Sequence, residues 1–94
     1  MSKMKVIRSN GSGVWVGEIV SKVGNTVVIK DAIRIWYWDG AASLSELAQT
    51  GTKKPENCKF CIPVDEVEVF YVLEILSVTD QAEASIKGVE PWTA

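Results

Sequence analysis

The chain has 94 residues, with ten Lys and Arg, twelve Asp and Glu, no His and a formal net charge of −2. This length corresponds to a single domain over residues 1–94. Without His the chain cannot build a Ser-His-Asp relay or a His-ligated zinc site. With only two Arg and an acidic balance it also lacks the basic footprint of a duplex nucleic-acid binder.

The sequence contains no apolar run of about 18 residues or more, and residues 1–5 are not followed by the apolar stretch of a signal peptide. We therefore expect no membrane association and a cytoplasmic location. Cys58 and Cys61 are spaced C-x-x-C, but zinc needs four ligands and the pair lies in a segment that reads as extended. Two reduced thiols are expected, with no metal and no cofactor.

Thirteen Val and eight Ile against four Leu favour strands over helices. In chain order, strands are predicted over residues 3–8, 14–23, 26–30, 32–38, 59–64 and 67–78. Turn-forming residues separate the early strands over 10–13 and at Gly24 and Asn25, where glycine supplies the positive φ of a two-residue hairpin.

Two short helices are predicted. The first follows a capping box, in which Ser43 caps and Glu46 reaches back, and Gly51 suits its end. The second covers residues 80–87 with Asp80 as its cap. The predicted fold is mainly β shading to α+β, with an antiparallel twisted sheet or partly closed barrel of five to six strands and two short helices.

The fourth predicted strand carries the main functional signal. Period-two alternation directs Ile33 and Ile35 to one face and Arg34, Trp36 and Trp38 to the other. A guanidinium in line with two indoles can pair with an anion and stack on a planar ring. The alternative is that both Trp side chains pack in the core or in an oligomer interface.

Small residues follow this face and lead into a helix N-terminus, where free amides favour an anion. The predicted ligand-binding set therefore adds Gly40, Ala41, Ser43 and Ser45 to Arg34, Trp36 and Trp38. Further contacts are expected from Arg8, Trp15, Lys53 and Lys54.

The sixth predicted strand is apolar on both faces of its middle, where Phe70 and Val72 alternate with Tyr71 and Leu73. Short helices cover little area, so a second copy of the chain is expected to cover one face. The protein is therefore expected to be a homo-oligomer.

A longer pattern carries a resemblance to a known family. It comprises W-Y-W-D-G-A-A-S-L-S over residues 36–45, the segments 55–60 and 63–66, and Trp92 near the end. Over nearly its whole length the chain resembles a family of small phage and prophage proteins described only as a domain of unknown function. The resemblance implies a phage setting and supplies no activity.

In that setting we expect a non-enzymatic phage accessory protein in the host cytoplasm. It would be a homo-oligomeric sponge for a nucleotide-like anionic small molecule, counteracting host immune signalling by analogy alone. The alternative is an interaction module that inhibits a host protein or forms a minor virion component. An enzyme would have to rest on Asp39, Asp65 or the glutamates, which no motif links, so none is expected.

Overall fold

A computed structural model describes residues 2–94, and its strands and helices alternate along the chain. The strands are β1 (Met4–Ser9), β2 (Gly13–Val23), β3 (Thr26–Tyr37), β4 (Lys59–Phe60), β5 (Val64–Val69) and β6 (Val72–Ser77). The helices are α1 (Leu44–Thr50) and α2 (Asp80–Lys87), with a 3₁₀ turn over Pro55–Asn57. The prediction of a mainly β fold with an antiparallel sheet and two short helices is confirmed.

The sheet runs in the order β4-β3-β2-β1-β6, and β5 also pairs with β3. The predicted turn at Gly24 and Asn25 joins β2 to β3, with Val23 opposite Thr26. The third and fourth predicted strands are one continuous strand, β3. Asp31 does not interrupt it, because this residue takes a positive φ of 51° where the β2–β3 register shifts.

The long strand predicted over residues 67–78 is instead two strands. The chain turns at Phe70 and Tyr71, and Tyr71 has a φ of 55°. The backbone amide of Asn10 donates to the Tyr71 carbonyl at 2.9 Å, and the backbone amide of Val72 donates to the Asn25 carbonyl at 2.8 Å. These two bonds hold the turn against two neighbouring loops. Its two halves extend opposite edges of the sheet, β5 beside β3 and β6 beside β1, and the sheet remains open.

The fifth predicted strand, over residues 59–64, is also divided. Its first two residues form β4, which pairs with the end of β3, and β5 begins only at Val64. Pro63 lies between them and has no backbone N–H to donate to a sheet ladder.

Each face of the sheet carries a buried apolar cluster. One face packs under the helices, and we call this apolar group the helix-side core; its members include Val6, Val16, Leu47, Phe60 and Ile86. The other face holds Ile7, Trp15, Ile29 and Val69, among others, which we call the second core. Which of these two cores a side chain joins decides what it can contact.

The helix caps follow local chemistry closely. The Ser43 hydroxyl accepts from the Glu46 amide at 3.1 Å, which confirms it as the α1 cap, while the Glu46 carboxylate reaches back to the amide of Ala42. For α2 the predicted cap is wrong by one residue. Thr79 caps the helix, its hydroxyl accepting from the Ala82 amide at 3.0 Å, and Asp80 is the first helical residue.

Candidate functional site

Arg34 lies on β3 directly opposite Trp15 on β2. Its guanidinium carbon is 4.1 Å from the centroid of the Trp15 ring, and Nη1 donates to the Ser12 carbonyl at 2.8 Å. Arg34 is half-buried, and no carboxylate of residues 2–94 lies within ion-pair distance of it. A guanidinium carries five N–H donors, so this side chain retains donors for an anion.

Trp36 follows Arg34 on the same strand, two residues further along. Its ring is 64% exposed and lies nearly parallel to that of Trp92, with an interplanar angle of 13° and centroids 6.3 Å apart. Nζ of Lys59 lies 5.3 Å from the centroid of the Trp92 ring. We call Arg34, Trp36, Lys59 and Trp92 the aromatic surface. Trp92 contacts both Trp36 and Lys59, and Arg34 belongs to it by its place on β3, two residues before Trp36.

The C-terminal segment brings Trp92 to this position. The Trp92 amide donates to the Phe60 carbonyl at 2.8 Å, and Cys61 and Trp92 form a parallel bridge beside β4. Neither Trp92 nor Lys59 is among the site residues predicted from the sequence. Spacing along the chain does not reveal this contact, since it depends on where the last residues fold back.

Trp38 does not join Arg34 and Trp36, so the expectation that all three share a face is wrong. Strand β3 ends at Tyr37, and the β3–β4 register shifts between Ile35 and Tyr37. Trp38 therefore turns to the opposite side, packs against the helix-side core and donates from Nε1 to the Ala41 carbonyl at 3.2 Å.

Gly40 is approached closely by the protein's own backbone. A Cβ at this position would lie 2.6 Å from the Thr52 hydroxyl and 2.7 Å from the Lys53 amide. Lys53 donates to the Gly40 carbonyl at 3.1 Å, and the Gly40 amide donates to the Asp39 carboxylate at 2.8 Å. The space that was expected to admit a ligand is filled by the loop after α1.

The start of α1 is likewise occupied by its own residues. The Ser43 hydroxyl accepts from the Glu46 amide of the first turn, and the Glu46 carboxylate accepts from the Ala42 amide just before the helix. Ala41 packs against the helix-side core. Ser45 is exposed in that turn. Gly40, Ala41, Ser43 and Ser45 thus lie with Trp38, and the structure does not bring them to the aromatic surface.

Of the remaining predicted contacts, Trp15 lies against Arg34, whereas Arg8, Lys53 and Lys54 do not. Arg8 forms an ion pair with Glu74, Nε to Oε1 at 2.9 Å. Trp15 is buried under Arg34, and its Nε1 has no hydrogen-bond partner within residues 2–94. The side chains of Lys53 and Lys54 are exposed on the loop that packs on Gly40.

Asp39 acts within that loop. Its pKa is lowered chiefly by the hydrogen bond from the Asn57 side chain at 3.0 Å and also by the Gly40 amide and the charge of Lys54. The thiol of Cys58 is buried beside the Asp39 backbone, and both cysteines are free. These groups hold the connection between α1 and β4 in place.

The family model for a domain of unknown function (DUF6948) matches residues 2–86. The chain belongs to this family. No curated protein matches it significantly. No solved structure does so either. The match covers Arg34, Trp36 and Lys59 and ends before Trp92. Within residues 2–94, neither helix has the length and apolar character needed to cross a bilayer.

Proposed function

We propose that this DUF6948 protein is a non-catalytic binder of a nucleotide-like anionic small molecule, which it holds on the aromatic surface. The observation that carries the proposal is the Arg34 guanidinium, which stacks on the buried Trp15 and has no carboxylate partner within residues 2–94, on the strand that carries the exposed Trp36 two residues further along. A half-buried cation without a protein anion suits a ligand that brings one.

The two parts of such a ligand match two parts of the surface. The exposed Trp36 ring offers a face on which a base stacks. Arg34 supplies a planar fork for a phosphate, and Lys59 adds a point charge beside Trp92. In the binding site predicted from the sequence, Trp38 supplied the second indole and the amides after Gly40 supplied the second anion contact. Trp92 and Lys59 now take these two roles.

The biological setting is part of the proposal and rests on the resemblance to phage proteins. In it, the protein is a phage accessory factor in the host cytoplasm that sequesters a nucleotide signal of host immunity. It acts as a homo-oligomer. Phe70, Tyr71 and Leu73, which are 53%, 65% and 56% exposed at the β5–β6 turn, would be covered by a second copy.

Calorimetry of the full chain against cyclic and linear nucleotides tests this function. Stacking contributes about 1–3 kcal/mol per base, so Trp36→Ala is expected to weaken binding by about 5- to 150-fold. Arg34→Gln is expected to weaken it by about tenfold or more, because it removes a charge-assisted hydrogen bond.

Matched controls are available for both changes. Trp38→Phe alters a Trp on the opposite side, and Arg8→Gln alters an Arg that is already paired with Glu74. Both are expected to leave affinity unchanged. Failure of every nucleotide to bind the folded protein more tightly than millimolar, or unchanged affinity in Trp36→Ala, contradicts the proposal.

The second candidate function is an interaction module that inhibits a host protein or forms a minor virion part. The exposed apolar turn of Phe70, Tyr71 and Leu73 favours it. Copurification with virions, or capture of one defined host protein that a Phe70→Ser, Leu73→Ser variant no longer captures, would support it. Light scattering on the same variant separates the two roles of this turn. A variant that loses capture but keeps its solution mass supports the interaction module, whereas a fall in solution mass shows that the turn holds copies of the chain together.

A further inference from the structure

A cavity lies on the helix side of the sheet, and none of the residues of the aromatic surface lines it. It has a volume of about 370 Å³ and lies between α2, the start of β1 and the bulged region of β2 and β3. Its lining includes the buried side chains of Met4, Phe60 and Ile86 together with Ile33. This volume and apolar lining are typical of small-molecule sites.

Charged side chains also line the cavity. Glu83 and Lys87 on α2 pair with each other at 2.6 Å, and Glu18 on β2 lies 3.8 Å from Lys30. Asp31 has no cation of residues 2–94 within ion-pair distance. Its carboxylate is exposed, so it is available to a ligand.

The charge of the lining that is open to a cation is that of Asp31. Glu18 lies 3.8 Å from Lys30 and Glu83 pairs with Lys87, so among the lining carboxylates of residues 2–94 Asp31 is the one without an ion-pair partner. The pKa of Lys87 is raised chiefly by its hydrogen bond to Glu83 and further by the charges of Glu83, Asp31 and Glu18, against an opposing effect of burial. Lys87 thus lies in the field of three carboxylates.

We propose that this cavity binds a small molecule with an apolar ring and a single ammonium group, the ring resting on Phe60 and Ile86 and the ammonium pairing with Asp31. The proposal is independent of the nucleotide site, since none of these residues belongs to the aromatic surface. Apolar burial supplies the affinity, and the Asp31 carboxylate supplies the preference for a cation.

Three matched probes test it on the full-length protein by amide NMR titration: 2-phenylethylamine, 2-phenylethanol and 3-phenylpropionate. They share the ring and differ in charge. The amine is expected to bind at least about fivefold more tightly than the alcohol and more tightly still than the carboxylate. The shifted amides are expected to be those of Gly17, Asp31 and Ile33, which line the cavity.

Asp31→Asn is the decisive variant. Asn tolerates the left-handed conformation that Asp31 adopts, so the fold is expected to persist while the charge is lost. The amine should then bind no better than the alcohol. Asp65→Asn, an exposed carboxylate outside the cavity, is the control and should keep the amine preference. The proposal is overturned if no probe shifts the cavity amides, if the alcohol or the carboxylate binds as tightly as the amine, or if Asp31→Asn keeps the preference.

Discussion

Replacing Gly40 by Ala is expected to destabilise the fold by about 3–4 kcal/mol. The first contribution is conformational. Gly40 has a φ of 79°, and a Cβ in the left-handed region costs about 1–2 kcal/mol. The second is steric, because the added Cβ would lie 2.6 Å from the Thr52 hydroxyl and 2.7 Å from the Lys53 amide, and would meet the Lys54 amide as well.

Two of these neighbours are backbone atoms, so the overlap cannot be relieved by rotating a side chain. Moving the loop would break the hydrogen bond from the Lys53 amide to the Gly40 carbonyl, now 3.1 Å, and that from the Thr52 hydroxyl to the Asp39 carbonyl. Each contributes about 1 kcal/mol, which brings the total to about 3–4 kcal/mol.

Gly13 provides the matched control, since its φ is 84° and a Cβ there would meet nothing within 4 Å. Gly13→Ala is expected to cost only the conformational part, about 1–2 kcal/mol. Urea unfolding followed by Trp fluorescence measures both, and each kcal/mol corresponds to about 4–8 °C in Tm for a domain of this size. Equal destabilisation by the two variants would refute the idea that the loop after α1 is packed against Gly40.

Three further predictions concern the same connection and the core. Ser43→Ala removes the α1 cap and is expected to cost about 1 kcal/mol in urea unfolding. Phe60→Ala removes a ring that is 2% exposed and leaves a cavity in the core, so it is expected to lower the free energy of unfolding by about 3–5 kcal/mol in the same assay. Asn57→Ala removes the main hydrogen bond that lowers the pKa of Asp39, so this pKa is expected to rise towards 3.8 in a carboxyl NMR titration. Because the folded-state pKa of Asp39 is depressed, its ionised carboxylate stabilises the fold at pH values above 3.8. This stabilisation is lost as the pH falls through the depressed pKa. The variant and the wild type should therefore converge in stability at acid pH.

Local chemistry explains what the amino-acid sequence alone predicted correctly. The capping box at Ser43, the hairpin at Gly24 and the excess of Val and Ile act over a few residues. Such signals are legible along the chain because their partners are neighbours. They were sufficient for the antiparallel sheet and both helices.

Tertiary structure decided the features that depend on distant partners. The alternation over residues 67–78 continues unbroken, yet the chain turns at Tyr71 because Asn10 and Asn25 hold that turn from other loops. Trp38 changes sides because the ladder with β4 shifts its register, and one irregular residue reverses the face of all that follow. Trp92 meets Trp36 only after the C-terminal segment has folded against Phe60.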